Sequence, residues 1–171
     1  LKKLNINLLN PNLIEEKRKI INMYAGEMGN IDIHYIAKGT VKEMGDKKLY
    51  ILGLIDAYSR ICWLEVIDSI KAIDVMFASM DILMRLKERY DIQFEAIMSD
   101  NGAEFSSINA GNAEGHPFEK MLRFYGLKHI YTKPCKPQTN GKIERFWKSL
   151  EDELLCGEVF ETLEEFKEYI L

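Results

Sequence analysis

The sequence predicts a single α/β domain, an α/β sandwich in which a mixed β-sheet is covered by helices. Three observations lead there. Three β-rich runs stand close together between residues 30 and 67, joined by short polar connectors. The apolar period then changes, and helical stretches alternate with short apolar strands. The chain has 171 residues, 47% apolar and 29% charged, which is enough for one sizeable core and short for two.

The elements run in this order. Residues 1–25 carry a net charge of +3. Asn10-Pro11 reads as a helix start, Leu13 to Tyr24 keep helical spacing, and Gly26 and Gly29 end the segment. A lead-in linker or helix over 1–25 therefore precedes a core over 26–171. The first strand is Asn30–Ile36, where Ile31, Ile33 and Tyr35 alternate with Asp32 and His34. The second, Leu49–Ile55, is almost wholly apolar, as a central strand buried on both faces should be. The third is Ile61–Ile67. Short connectors make these three antiparallel neighbours. Ile70, Ile73, Phe77, Met80, Met84 and Tyr90 then trace a helical stripe. Phe94–Met98 is a short apolar strand, and 100–115 a long loop rich in Gly, Asn and Ser. Pro117–Tyr125 reads as a helix stopped by Gly126, and Leu127–Tyr131 as the last strand. After a Pro/Gln/Asn/Gly stretch comes a helix over Gly141–Leu155, with the stripe Ile143, Trp147, Leu150 and Leu154. Thr162 opens a short acidic helix, with Glu165 completing a capping box. The order β-β-β-α-β-α-β-α-α makes three antiparallel strands extended by strands that arrive through helical crossovers.

Charge and composition exclude several classes. The balance of 23 basic against 27 acidic residues, a net of −4, argues against a dedicated nucleic-acid binder. The average hides an asymmetry: residues 133–148 sum to +4 and residues 149–171 to −7. A basic strip beside an acidic tail is compatible with DNA contact at one edge. Cys62, Cys135 and Cys156 form no paired motif, and His34, His116 and His129 are scattered, so neither a disulfide framework nor a zinc site is expected. The longest apolar runs, such as Leu52–Ile55, are far too short to span a bilayer. The chain begins at Leu1 with no charged-then-apolar leader, which reads as a trimmed piece of a cytoplasmic protein.

Three carboxylates stand out by location. Asp32 interrupts an apolar strand, where an acid is costly unless it is paired or holds a metal. Asp100 lies just past the fourth strand in Ser99-Asp-Asn-Gly-Ala-Glu-Phe105. Glu144 lies in the first turns of a helix, in Gln138-Thr-Asn-Gly-Lys-Ile-Glu-Arg-Phe146. Carboxylates are hard oxygen donors suited to Mg²⁺ or Mn²⁺. Three of them on separate elements could converge on two cations and support displacement at a phosphodiester. Each alone has a plain reading: a strand-end acid is usually a cap, Asp-Asn-Gly is first a turn, and a helical Glu is usually solvated.

With their flanking residues, these segments resemble the catalytic triad of DDE transposases and retroviral-type integrases, and the last two are closest to bacterial insertion-sequence transposases. Leu54-Ile-Asp-Ala-Tyr-Ser-Arg60 is also similar to a turn of that family. The resemblance spans about residues 26–160 and implies a ribonuclease-H-like fold, a five-stranded sheet with three antiparallel strands plus two parallel, flanked by helices. It implies an integrase-type catalytic core over 26–171, two Mg²⁺ or Mn²⁺ ions, and DNA cleavage followed by strand transfer. Asp32 would bridge both ions, and Asp100 and Glu144 would each hold one. DNA, as transposon ends and target, is the implied partner, within a homodimer or larger assembly in the bacterial cytoplasm at the nucleoid. The 43 residues between Asp100 and Glu144 exceed the family's usual interval. The excess falls within 106–116.

Other residues keep two readings. Lys148, four after Glu144, either contacts a DNA phosphate or pairs with Glu144. Lys142 and Arg145 either grip the backbone of DNA or are solvated. Gln138, Thr139 and Asn140 either line a loop over DNA or cap the helix. Asn101 and Gly102 shape the turn of Asp100. Asp56 suits a turn with Ser59 and Arg60, His34 shares a strand face with Asp32, and Trp63 and Trp147 suit the core. Two alternatives stand beside strand transfer. One is a nuclease of the same fold that cuts without joining, with Glu104 the candidate fourth acid. The other is a non-catalytic core used for DNA or protein contacts.

Overall fold

A computed structural model describes residues 22–106, 115–132 and 141–171. Most of the expected lead-in helix, the middle of the long loop, and the stretch holding Gln138, Thr139 and Asn140 lie outside them. Asn22 to Ala25, the described end of the lead-in, are not helical.

Strands β1 (Gly29–Ile36), β2 (Leu49–Asp56) and β3 (Cys62–Ile67) form an antiparallel meander. Helix α1 (Ala72–Tyr90) crosses over to β4 (Ala96–Ser99), which lies parallel to β1 on its free side. Helix α2 (Pro117–Phe124) leads to β5 (Lys128–Tyr131), parallel to β4. The sheet order is β3-β2-β1-β4-β5, as expected from hairpins followed by crossovers. Helix α3 (Gly141–Ser149) widens into a π-helical stretch over Leu150–Leu155, and α4 (Leu163–Ile170) closes the chain.

The sheet separates two apolar layers. Leu52 and Leu54 of β2 pack with Ile31, Val75, Ile82 and Phe118 under α1 and α2. Ile51 and Ile55 pack with Ile36, Ile143, Trp147 and Phe166 under α3 and α4. This two-sided burial explains the continuous apolar run of β2. Thr162 caps α4 as expected, accepting the Glu165 N–H at 3.2 Å.

One expectation is corrected. In α1 the buried face is Val75, Ala78, Ser79, Ile82 and Leu86, not the large-residue stripe. Ile70, Ile73, Phe77, Met84 and Tyr90 are exposed, Phe77 by 57%. The helix carries two adjacent apolar faces. The one with small residues, Ala78 and Ser79, lets its backbone approach the sheet, so the bulkier face turns outward.

Candidate active site

Asp32 lies on the central strand β1. Alternation sends Ile31 and Ile33 under α1 and α2 and turns Asp32 and His34 toward α3. There Trp147 Nε1 donates to Asp32 Oδ2 at 3.0 Å. Asp32 stands opposite Gly53 of β2, and the indole occupies the space above that glycine. A Cβ at Gly53 would come within 2.5 Å of the Trp147 ring. His34 stacks on the same indole, with ring centroids 5.1 Å apart, and its Nε2 lies 2.7 Å from Glu151 Oε1 in the π-helical stretch. Burial pushes the Asp32 carboxyl up to about 6, against the bonds from Trp147 and the Ile33 backbone, and the charges of Asp100 and Glu144 push the same way.

The strand register explains why Asp100 is near. Asn30 pairs with Met98 on parallel strands, so two residues further along, Asp32 within β1 and Asp100 just past the end of β4 stand at one level. Asp100 Oδ1 accepts the Gly102 N–H at 2.9 Å, the side-chain turn that Asn101 and Gly102 suggest. Glu104 folds back over Gly102. Glu144 is exposed on α3, one turn before Trp147, so the helix that seats the indole on Asp32 also carries Glu144.

The other candidate residues are spread around this centre. Arg145 and Lys148 are exposed on α3. Lys142 is half-buried: its ammonium donates to Ala57 O at 2.8 Å and Asn22 Oδ1 at 3.0 Å, which ties the start of α3 to the β2–β3 turn. Gln138 and Asn140 lie outside the described residues. Asp56 is fully buried and accepts the backbone N–H of Gly26 at 2.8 Å and of Ser59 at 2.6 Å, the structural turn role expected of it. Sequence reasoning placed Trp147 in the core, where it is, but missed its bond to Asp32. The spacing of Trp147 from Ile143 and Leu150 fits core packing and carries no signal of that bond. Sequence reasoning also missed the part-buried contacts of Ser99, Glu119 and His129 behind Asp100.

Among the described residues, no group of three or more His, Cys, Asp or Glu side chains stands gathered as a metal-holding cluster. The donor chemistry fits a hard divalent cation all the same. A half-buried carboxylate feels two further carboxylate charges, and a cation among them would offset both the burial and the repulsion. A cavity of about 440 Å³ beside Trp63, Tyr90 and Phe146 is lined by none of the three. No helix among the described residues is long and apolar enough to cross a membrane.

Comparison with known proteins points the same way. Residues 125–171 match the family model described as integrase core domain. The ORF3 protein of Spiroplasma virus SpV1-C74, provisionally named an integrase, is 30% identical over 105 residues, covering 59% of this chain and 29% of that protein. A retrovirus-related Pol polyprotein from transposon TNT 1-94 of Nicotiana tabacum is 31% identical over 106 residues, 61% of this chain and 7% of that one. The chain thus spans under a third of the length of the curated relatives it matches. Among solved structures, the HTLV-2 integrase catalytic core domain in complex with magnesium superposes with a TM-score of 0.58 at 14% identity, covering 78% of this chain and 72% of that one. The BIV integrase catalytic core domain superposes with a TM-score of 0.52 at 22% identity, covering 76% and 70%. The resemblance to integrase catalytic cores therefore holds in sequence and in fold, and the sheet is the ribonuclease-H-like sheet of those cores.

Proposed function

We propose that this chain is the catalytic core of a DNA transposase of the bacterial insertion-sequence kind, which cleaves and joins DNA strands with divalent metal ions. The observation that carries the reading is a carboxylate, Asp32, set into the central strand of the sheet and held there by the Trp147 indole. A carboxylate on the central strand is pushed up to about 6 by burial, with Asp100 and Glu144 adding to the push from two other elements. Such an arrangement is unfavourable without a counter-charge, and perturbed acids of this kind cluster at functional sites.

Asp32, Asp100 and Glu144 would hold two Mg²⁺ or Mn²⁺ ions, with Asp32 shared between them. When bound, the ions supply a Lewis acid at the phosphate and lower the pKa of the attacking oxygen. Trp147 keeps one Asp32 oxygen fixed. Arg145 and Lys148, exposed on the helix of Glu144, would bind DNA phosphates, together with Gln138 and Asn140. Lys142 would hold the start of that helix and, where its tether opens, contact the backbone of DNA too. In the first reaction water cleaves a phosphodiester at a transposon end and leaves a 3′-hydroxyl. In the second, that hydroxyl attacks a target phosphodiester, the new P–O bond forms, and the target's own 3′-oxygen leaves with a proton. Joining two ends needs two such sites, so the working form would be a homodimer or larger assembly on bacterial nucleoid DNA.

The test is a strand-joining assay with Mn²⁺ on a branched oligonucleotide that mimics an end already joined to target, run beside Asp100→Asn. Resealed or joined product, lowered at least a thousandfold in the variant, is the expected result. Cleavage without joining, also lost in the variant, would assign a nuclease instead. DNA binding that ignores both metal and the substitution would leave only a non-catalytic core.

A further inference from the structure

Behind Asp100 runs a chain of part-buried hydrogen bonds that the chemistry above does not use. His129 Nδ1, on β5, lies 2.6 Å from Glu119 Oε1 on α2. His129 Nε2 lies 2.8 Å from Ser99 Oγ at the end of β4. Ser99 Oγ donates in turn to the carbonyl oxygen of Asp100 at 2.7 Å. Tyr131 OH donates to the same Glu119 oxygen, and Phe118 packs edge-on against the imidazole at 5.3 Å. The order of acid, imidazole and hydroxyl is that of a hydrolytic triad. Ser99 is, however, fully buried, and its one proton goes to a backbone carbonyl, so no acyl group can reach it. The chain of bonds ends on the peptide that carries Asp100.

We propose that Glu119, His129 and Ser99 are positioning residues that fix the carbonyl of Asp100 and so the turn that aims its carboxylate. The inference rests on the reading of Asp100 as a metal-holding residue. The sheet ladder cannot do this work. Its last rung is the Thr132 N–H to Ser99 O, at 2.9 Å, and Asp100 lies one residue beyond it. Past that rung the chain makes a short turn closed by Asp100's own side chain on Gly102. The Ser99 hydroxyl is therefore a contact that carries order from the packed interior into the start of that turn, while buried Phe105 and the 3.0 Å contact of His116 Nε2 with Ala103 O hold its far side. The direction of the hydroxyl is not free. A carbonyl only accepts, so Ser99 donates to it, and His129 Nε2 lies 2.8 Å from the same hydroxyl oxygen. The ring keeps that orientation because Glu119 engages its other nitrogen from a separate element.

The test uses the 171-residue chain and compares Ser99→Ala and Glu119→Gln with Ser79→Ala. Ser79 is an equally buried serine whose hydroxyl donates to Val75 O at 2.6 Å inside α1. In metal-free protein, hydrogen exchange at the Gly102 amide, read by NMR, should quicken about tenfold in Ser99→Ala and stay unchanged in Ser79→Ala. Mn²⁺ affinity, read by electron paramagnetic resonance, should weaken about tenfold in Ser99→Ala and less in Glu119→Gln, which keeps the acceptor shape. Joining should lose kcat with KM for DNA held. Should Ser99→Ala fail to fold, Glu119→Gln carries the same readings with smaller shifts. Unchanged Gly102 exchange and Mn²⁺ affinity in the folded variants would overturn the inference, as would labelling of Ser99 by a fluorophosphonate. Wild-type protein that joins no DNA while exchange and Mn²⁺ affinity shift as described would remove the strand-transfer reading and leave the positioning role in place.

Discussion

At the scale of single residues, the site turns on one hydrogen bond. Trp147 Nε1 donates to Asp32 Oδ2, and a bond to a charged acceptor is worth about 1.5–3 kcal/mol. It favours the charged carboxyl, against the burial that disfavours it. Trp147→Phe keeps most of the buried ring and removes only that donor. The Asp32 titration midpoint should then move up from about 6, as read by carboxyl carbon NMR, and joining activity near neutral pH should fall about tenfold or more. A midpoint that stays put would mean that the indole only packs. Asp32, Asp100 and Glu144 stand out in the sequence as candidates because an acid inside an apolar strand needs a reason, and because the other two sit in distinctive segments. The bond from Trp147 was not legible. The spacing Ile143, Trp147, Leu150 is fully accounted for by core packing, and nothing local says where an indole N–H points. Ser99, Glu119 and His129 were hidden for a related reason. They meet only when β4, β5 and α2 are assembled, and each alone is an ordinary polar residue.

At the scale of elements, α3 is placed by a glycine on another element. Gly53 is the residue of β2 opposite Asp32, and only its missing side chain leaves room for the Trp147 ring. Gly53→Ala puts a carbon 2.5 Å from that ring, and the neighbour is a stiff aromatic on a helix, so α3 must lift or the ring must turn. The variant should lose about 1–3 kcal/mol in urea unfolding. Metal-dependent activity should fall further than that loss explains, because Trp147, Asp32 and Glu144 move together. Gly53→Ala combined with Trp147→Leu should recover part of the stability and none of the activity. An activity loss no larger than the loss of folded protein would show that α3 tolerates the shift. Element types and order were legible from periodicity, and β2 from its unbroken apolar run. The inward face of α1 was not, because two apolar faces lie side by side and only contact with Leu52 and Leu54 chooses the one with Ala78 and Ser79. The wide turn at Leu150–Leu155 was also silent in the sequence, although it carries Glu151 to His34.

At the scale of the whole molecule, the buried charge makes stability depend on pH in a way that metal should reverse. Asp32 titrates at about 6 in the fold against an ordinary 3.8. Between those values the native state holds a proton that the unfolded chain has released, so the Asp32 contribution is full below about pH 4 and is lost as pH rises through about 6. A shift of about two pH units corresponds to about 3 kcal/mol, less because water reaches a half-buried carboxylate. His129 acts in the opposite sense. Burial lowers its pKa, so its contribution is lost as pH falls below the ordinary histidine value, and the raw profile of the wild type mixes the two. The difference between wild type and Asp32→Asn isolates Asp32, since His129 is common to both. In the presence of chelator, wild type should lose ground to Asp32→Asn by about 1–3 kcal/mol between pH 4 and pH 7, followed by guanidinium unfolding. With millimolar Mg²⁺ the gap at pH 7 should shrink, because a cation favours the same charged form that burial disfavours. A difference that is flat with pH would show that Asp32 is solvated as an ordinary surface acid. A gap at pH 7 that Mg²⁺ does not narrow would show that the three carboxylates do not hold the ion together, and would remove the premise on which the proposed strand-transfer chemistry stands.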